Sequence, residues 1–186
     1  MFKPCVVIPV YNHEHAVDAV VHGVLAQNLS CILVDDGSSP GCARMLDALV
    51  AGAPTHITLI RHPVNRGKGS TVLTGARYAV QAGYTHVLQI DADGQHRVSD
   101  IPRFLEQAAA HPQALIVGCS EYGATVPLLD GLEIINVDTP VSYPSDGVSH
   151  FRIVLDNYLI SRMHATLFFG MLLRLPFLIA RHWRTR

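Results

Sequence analysis

The chain has 186 residues, of which 49% are hydrophobic and 16% charged, and its formal net charge is −1 at pH 7. These proportions predict a folded domain with a sizeable core and exclude a disordered chain. A net charge near zero gives no general polyanion-binding surface, so nucleic acid is not an expected partner. The four cysteines are far apart, and three lie in or beside apolar runs. We therefore expect buried reduced thiols in an intracellular protein, without a secretory signal, a disulfide frame or a zinc site.

Short apolar runs alternate with amphipathic segments along the first two thirds of the chain. The runs are rich in Val, Ile and Leu without polar alternation, as in strands that are covered on both faces, and the intervening segments have helical spacing. This alternation predicts an α/β fold with a doubly wound, mostly parallel sheet and right-handed crossovers. The expected strands are 5–9, 31–35, 57–61, 86–90 and 114–117, and the expected helices are 13–27, 42–51, 68–81 and 98–109.

Polar clusters follow three of the predicted strands, at residues 10–12, 35–39 and 91–95. In open parallel sheets, ligands bind in the crevice outside the carboxyl ends of the strands. The three clusters should therefore converge on one crevice.

The last of these clusters contains two carboxylates two positions apart, Asp91 and Asp93. Carboxylate oxygens suit Mg²⁺ or Mn²⁺, which keep coordination positions open for waters and substrate phosphates. The pair therefore predicts a metal site for a diphosphate-bearing substrate. The alternative is a simple polar turn after a strand, because Asp and Gly are common turn formers.

The cluster at 35–39 places Asp35 and Asp36 where a carboxylate could accept hydrogen bonds from a base N–H or from ribose hydroxyls. Ser38 or Ser39 could instead cap a helix that starts at Pro40, and both interpretations can hold together. The loop 65–69 carries cations that could meet anionic oxygens near a helix N-terminus, but it lacks the full phosphate-loop pattern.

Taken together, four motifs resemble the family 2 glycosyltransferases with a GT-A fold, in both order and spacing: IPVYN at 8–12, VDDGS at 34–38, NRGKG at 65–69 and DADGQ at 91–95. The resemblance covers about residues 2–120 and is strongest to the branch around polyprenyl-phosphate sugar transferases. It implies an inverting transferase that moves a sugar from a nucleotide diphosphate sugar to a membrane-associated lipid phosphate or glycan acceptor. It also implies Mg²⁺ or Mn²⁺ as the cofactor.

The matching motifs also imply roles for individual residues. Asp36 resembles the acid that contacts the base, Asp91 the acid near the ribose, and Asp93 the metal ligand, so Asp91 and Asp93 are the expected catalytic residues. The remaining residues of the expected nucleotide site are Pro9, Tyr11, Asn12, Asp35, Arg66 and Lys68.

A second match, at 141–152, resembles the late segment that closes over the phosphates in these enzymes. It makes Ser149, His150 and Arg152 candidate phosphate contacts. The alternative for His150 is an exposed loop histidine. The expected nucleotide-sugar domain therefore spans residues 1–150 and is followed by a helical tail at 151–186.

The chain departs from the family pattern at 121–131, where the family has a longer stretch with an acceptor-side helix and often a general base. No base can be assigned, although an anionic lipid phosphate acceptor would need none. The shortened second half would also leave core surface uncovered, which predicts a homo-oligomer. Two alternatives are a nucleotide-binding or assembly module without transfer and a sugar-phosphate nucleotidyltransferase, but the second lacks its Gly-rich loop here.

The C-terminal tail contains an apolar run at 167–180 that is broken by Arg174 and Pro176 and is too short to span a bilayer. With Trp183 among arginines, the run suits an in-plane interfacial anchor. The alternative is a terminal helix that packs on the sheet or on a second subunit. The sequence therefore predicts a cytoplasmic protein with peripheral contact at the inner face of the cell membrane.

Overall fold

The computed structural model describes residues 1–119 and 133–139, all within one compact unit, Met1–Ser145. The predictions for 121–131, for the late segment 141–152 and for the tail 151–186 lie outside the described residues. The described elements are β1 Pro4–Val10, α1 Val17–Leu25, β2 Ser30–Asp35, α2 Pro40–Gly52, β3 Ile57–Arg61, α3 Lys68–Gln81, β4 His86–Gln89, α4 Ile101–Ala110, β5 Leu115–Cys119 and β6 Ile134–Asp138.

Four of the strands form one sheet in the order β3-β2-β1-β4, and every pairing in it is parallel. Strands β5 and β6 form a separate parallel pair. Apolar residues of α1, α2 and α4 pack with one face of the sheet, and α3 packs on the other face. The structure therefore confirms the doubly wound, mostly parallel α/β fold.

Helix α3 lies close against β1 because its contact residue is a glycine. A Cβ built on Gly75 would lie 2.5 Å from Cγ1 of Val7 and 3.1 Å from Cγ2 of Val34. No larger side chain fits there without moving the helix. This close contact fixes the N-terminal end of α3, with Lys68 and Thr71, beside the carboxyl ends of the strands.

Two of the predicted helices differ from the observed ones. Helix α1 begins at Val17, not at 13, because the carbonyl of His13 accepts the N–H groups of Ala16 and Val17 in a turn before the helix. The predicted helix 98–109 is a 3₁₀ turn, Val98–Asp100, followed by α4. Pro102 lies in the first turn of α4, where a missing N–H costs nothing. In an α-helix that began at 98, Pro102 could not donate to the Val98 carbonyl and its ring would clash with that carbonyl.

The prediction that the strands are covered on both faces is confirmed for β1 and β2 but is wrong for β4. Strands β1 and β2 are buried almost throughout, whereas residues alternate between partly buried and exposed in β4, with Val87 38% exposed. Strand β4 is the last strand in the order of the four-stranded sheet, and within the described part of the chain it pairs with β1 alone.

The four cysteines are buried and free, as the sequence predicted. Burial raises the pKa of Cys5 to about 11 and that of Cys31 to about 12, so both remain protonated thiols at neutral pH. Among the described residues, no helix combines the length and the apolar character needed to cross a bilayer.

Candidate functional site

A cavity of about 280 Å³ opens at the carboxyl ends of β1, β2 and β4. All three polar clusters that follow these strands contribute to it, so they converge as predicted. Its lining consists of Pro9, Val10, Tyr11, His13, Asp36, Asn65, Lys68, Thr71, Asp91, Ala92 and Asp93.

The buried Asp36 organises the loop between β3 and α3. Its Oδ1 accepts the Arg66 N–H at 2.9 Å and lies 2.7 Å from Nδ1 of His62, and its Oδ2 accepts the Gly67 N–H at 2.8 Å. Burial alone would raise the pKa of Asp36, but these hydrogen bonds outweigh it and hold the pKa below its ordinary value. Asp36 is therefore an ionised carboxylate that faces the cavity.

The turn after β2 fits tightly against the same loop. Gly37 has a φ of +73°, and a Cβ there would lie 2.7 Å from the backbone nitrogen of Asn65 and 2.7 Å from the carbonyl carbon of Val64. Only glycine meets both the left-handed backbone and the missing space. The two turns therefore form one closely packed wall of the cavity.

Asp35 lies beside the cavity and does not line it. Its Oδ1 accepts the Ser38 N–H at 2.9 Å, and its Oδ2 accepts Nε–H of Arg61 at 3.2 Å. Arg61 also reaches Asp47 of α2 at 3.0 Å. Asp35 therefore joins the ends of β2 and β3 and, through Arg61, ties them to α2.

Asn12 connects the turn after β1 with the start of α2. Its N–H donates to Oγ of Ser38 at 3.1 Å, and its Oδ1 accepts the Ser39 N–H at 2.7 Å. Ser39 is the N-cap of α2, which confirms the prediction that Ser38 or Ser39 caps a helix starting at Pro40. Its Oγ accepts the Cys42 N–H at 3.3 Å. Asn12 therefore has a supporting position in the wall.

Asp91 is surrounded by donors. Its Oδ2 accepts from Nζ of Lys68 at 2.7 Å and lies 3.4 Å from Nε2 of His96, while its Oδ1 accepts from Nε2 of Gln89 at 2.6 Å. Burial opposes ionisation, but His96 and Lys68 outweigh it and hold the pKa of Asp91 far below its ordinary value. The hydrogen bond to Asp91 in turn raises the pKa of His96. Asp91 is therefore ionised and already paired with the Lys68 ammonium, with His96 beside it.

Asp93 is the less occupied carboxylate of the pair. Its Oδ1 accepts the Gln95 N–H at 3.0 Å, and its Oδ2 accepts no hydrogen bond within residues 1–119 and 133–139. The described residues contain no cluster of three or more His, Cys, Asp or Glu that could enclose a metal ion. This donor set fits Mg²⁺ or Mn²⁺, which bind through one or two carboxylates together with substrate phosphates.

The structure brings six of the predicted residues to one cavity, places three beside it and does not describe the rest. Asn12 and Asp35 support the wall, and Arg66 contributes its backbone N–H. Ser149, His150 and Arg152 lie outside the described residues. The residues that line the cavity are Pro9, Tyr11, Asp36, Lys68, Asp91 and Asp93.

His62 and Thr71 were not predicted from the sequence. His62 directly follows Arg61, which lies opposite Asp35 in the parallel register of β2 and β3. That register places His62 beside Asp36, so aligning the ends of the two predicted strands could have revealed the contact.

Two of the curated relatives have names that state an activity. The chain is 28% identical over 126 residues to the polyprenol monophosphomannose synthase of Mycolicibacterium smegmatis, covering 67% of this chain and 48% of that protein. It is 25% identical over 167 residues to the UDP-N-acetylglucosamine–dolichyl-phosphate N-acetylglucosaminyltransferase of Methanococcus voltae, covering 83% of this chain and 64% of that protein. The chain thus spans about half to two thirds of the length of these relatives.

A solved structure supports the fold. The mannosyltransferase PcManGT of Pyrobaculum calidifontis, solved in complex with GDP-Man and Mn²⁺, superimposes with a TM-score of 0.54 at 19% identity, covering 64% of this chain and 36% of that one. This likeness agrees with the GT-A architecture that the sequence predicted. The family model described as glycosyl transferase family 2 matches residues 5–151, which is more than half of the chain. The chain therefore belongs to glycosyl transferase family 2.

Proposed function

We propose that this chain binds a nucleotide diphosphate sugar in the cavity at the strand ends and transfers the sugar, with inversion, to a polyprenyl phosphate. The observation that carries the proposal is that Asp36 and Asp93, from two different strand ends, face one cavity. The family membership supports the sugar nucleotide, and the names of the two relatives, which act on polyprenol and dolichyl phosphates, support the acceptor.

The lining suggests how each part of the donor would be held. Asp36 would accept the ring N–H of the base between Pro9 and Tyr11, and Asp91 would accept a ribose hydroxyl. The Lys68 ammonium, which donates to Asp91 at 2.7 Å, would also donate to diphosphate oxygens when the donor binds. A lysine ammonium is a compact positive charge that suits phosphate binding. Base, ribose and diphosphate would then follow the cavity from β2 to β4.

Asp93 would hold the divalent cation, with Asp91 beside it. When bound, such a cation supplies Lewis-acid stabilisation of the charge that develops on the departing nucleoside diphosphate. The oxygen of a lipid phosphate is already anionic, so it can attack the sugar without a protein base. The described residues contain no general base in a recognisable family motif, and transfer to a lipid phosphate would need none.

A second candidate function is nucleotide binding without transfer, as in an assembly module. The observation that favours it is the departure from the family pattern at 121–131, where no residue resembles the general base of the family. Transfer to any acceptor would exclude this candidate, whereas binding without turnover or donor hydrolysis would support it.

A thermal-shift panel tests the donor site. We expect UDP-sugars or GDP-sugars with Mn²⁺ to raise the melting temperature, because a ligand that binds only the folded state stabilises it in proportion to the logarithm of its concentration over its Kd. ADP-sugars are the matched control, since adenine has no ring N–H for Asp36. An equal shift with every nucleotide, or no shift with any, would contradict the proposed base site.

We also propose that residues after 167 hold the protein at a membrane surface, because an apolar run beside arginines and Trp183 suits the interface of an anionic bilayer. The full chain should float with liposomes that contain anionic lipids, and a chain that ends at 167 should float much less. Equal flotation of both would remove the anchor.

A further inference from the structure

His62 lies outside the lining of the cavity but is bonded to a residue that lines it. It directly follows β3, and its side chain is only 5% exposed. The His62 N–H donates to the carbonyl of Asp35 at 2.8 Å, which fixes the histidine backbone beside the turn that carries Asp36. The position of this ring is therefore set by the sheet.

Both ring nitrogens of His62 are engaged. Nδ1 lies 2.7 Å from Oδ1 of Asp36, and because an ionised carboxylate can only accept, Nδ1 carries the hydrogen. Nε2 lies 3.0 Å from Oγ1 of Thr74 in α3, and the Thr74 hydroxyl is also 3.0 Å from the Ser70 carbonyl. The ring thus connects Asp36 to the helix on the opposite side of the loop.

The hydrogen bonds to Asp36 leave a defined part of the carboxylate available. Nδ1–H of His62 and the Arg66 N–H occupy Oδ1, and the Gly67 N–H occupies one position of Oδ2. The Thr71 hydroxyl also interacts with the Asp36 carboxylate and helps to lower its pKa, but its single hydrogen goes to the Gly67 carbonyl at 2.9 Å. A carboxylate offers about four acceptor positions, so acceptor capacity remains on Oδ2. Without His62, the more heavily bonded oxygen would lose its shortest contact, and the carboxylate could rotate.

We propose that His62 is a positioning residue that holds the Asp36 carboxylate so that Oδ2 meets the ring N–H of a nucleobase such as uracil or guanine. This inference rests on the proposed donor site and assigns to it a residue beyond the lining of the cavity. The contribution of His62 should concern the base alone, because the residues around the diphosphate, Lys68, Asp91 and Asp93, have no bond to it among those described.

The test compares H62L with H62N by calorimetry in the presence of Mn²⁺. Leucine removes the Nδ1–H donor and the contact of Nε2 with Thr74, whereas asparagine keeps an N–H donor close to the position of Nδ1. We expect H62L to weaken UDP or GDP binding by about tenfold or more, as for the loss of a hydrogen bond to a charged group. H62N should bind within about threefold of the wild type. Binding of pyrophosphate with Mn²⁺ should change by less than about twofold in either variant.

The split between nucleotide and pyrophosphate separates positioning from general loosening of the fold. Equal losses for both ligands, or no loss of nucleotide affinity in H62L, would overturn the inference while leaving the donor site in place. A wild type that binds neither UDP nor GDP would overturn the donor site and this inference with it. H22L, at a histidine side chain that is 68% exposed, is the control and should match the wild type. If H62L does not fold, the nucleotide and pyrophosphate affinities are compared in T74V, which removes the Thr74 hydroxyl that contacts Nε2 of His62.

Discussion

Replacing Asp93 with asparagine should abolish metal-dependent nucleotide binding. Asp93 is the carboxylate with an oxygen that no described residue occupies, and the amide of asparagine is a much weaker ligand for a hard cation. Altering residues that merely support a metal ligand already costs about 10- to 100-fold in metal affinity, so loss of the ligand itself should cost about 100-fold or more. Calorimetry of UDP or GDP with Mn²⁺ measures this directly.

D18N is the matched control for this experiment, because Asp18 is an exposed aspartate of α1 that pairs with His22 of the same helix and does not line the cavity. It should bind nucleotide as the wild type does. A second comparison omits the metal, and there D93N and the wild type should give the same weak affinity. Unchanged affinity of D93N in the presence of Mn²⁺ would remove Asp93 from the site and the metal-dependent mechanism with it.

Replacing Asp36 with asparagine should lower the free energy of unfolding more than D93N, D18N or D47N does. The variant would leave the buried His62 ring and two loop N–H groups facing a neutral amide, one end of which is itself a donor. Leaving a buried donor without its acceptor costs about 1–3 kcal/mol. Urea unfolding should show this decrease in the free energy of unfolding. D47N is the control, because Asp47 pairs with Arg61 at the surface, where such contacts contribute about 0–1 kcal/mol.

The same carboxylate should contribute to acid unfolding. The pKa of Asp36 is lowered from its ordinary value of 3.8, so its stabilising effect is complete above about pH 4 and is lost as the pH falls through the folded-state pKa. The free energy of unfolding of the wild type should therefore decrease more steeply below pH 4 than that of D36N. Parallel pH profiles for the two proteins would show that Asp36 keeps its ordinary pKa in the folded state.

The central strands and the cavity were predictable because their signals are local. Strands β1 and β2 are unbroken apolar runs, and polar residues follow each of them directly, so both the sheet and the place of its ligand crevice can be read from neighbouring positions. Asp91 and Asp93 stand out for the same reason. Their spacing and their place after a strand are properties of one short segment of sequence.

The contacts that shape the cavity were harder to predict because they join distant segments. The bond between Asp36 and His62 spans 26 positions, and so does the bond between Asp35 and Arg61. Both depend on the register of β2 with β3, which becomes visible only when the ends of the two strands are compared and not in either strand alone. Exposure of β4 depends likewise on its place at the end of the described strand order and not on its composition.

The lack of space for a side chain at Gly37 restricts how this protein could be re-engineered or could diverge in sequence. Any side chain at that position would force residues 64–65 outward and pull the Arg66 and Gly67 amides off Asp36. A chimera that imports a foreign segment for either turn alone should therefore misfit, even when the imported segment works in its parent. Base preference in this lineage is expected to change only when both segments are exchanged as a single cassette.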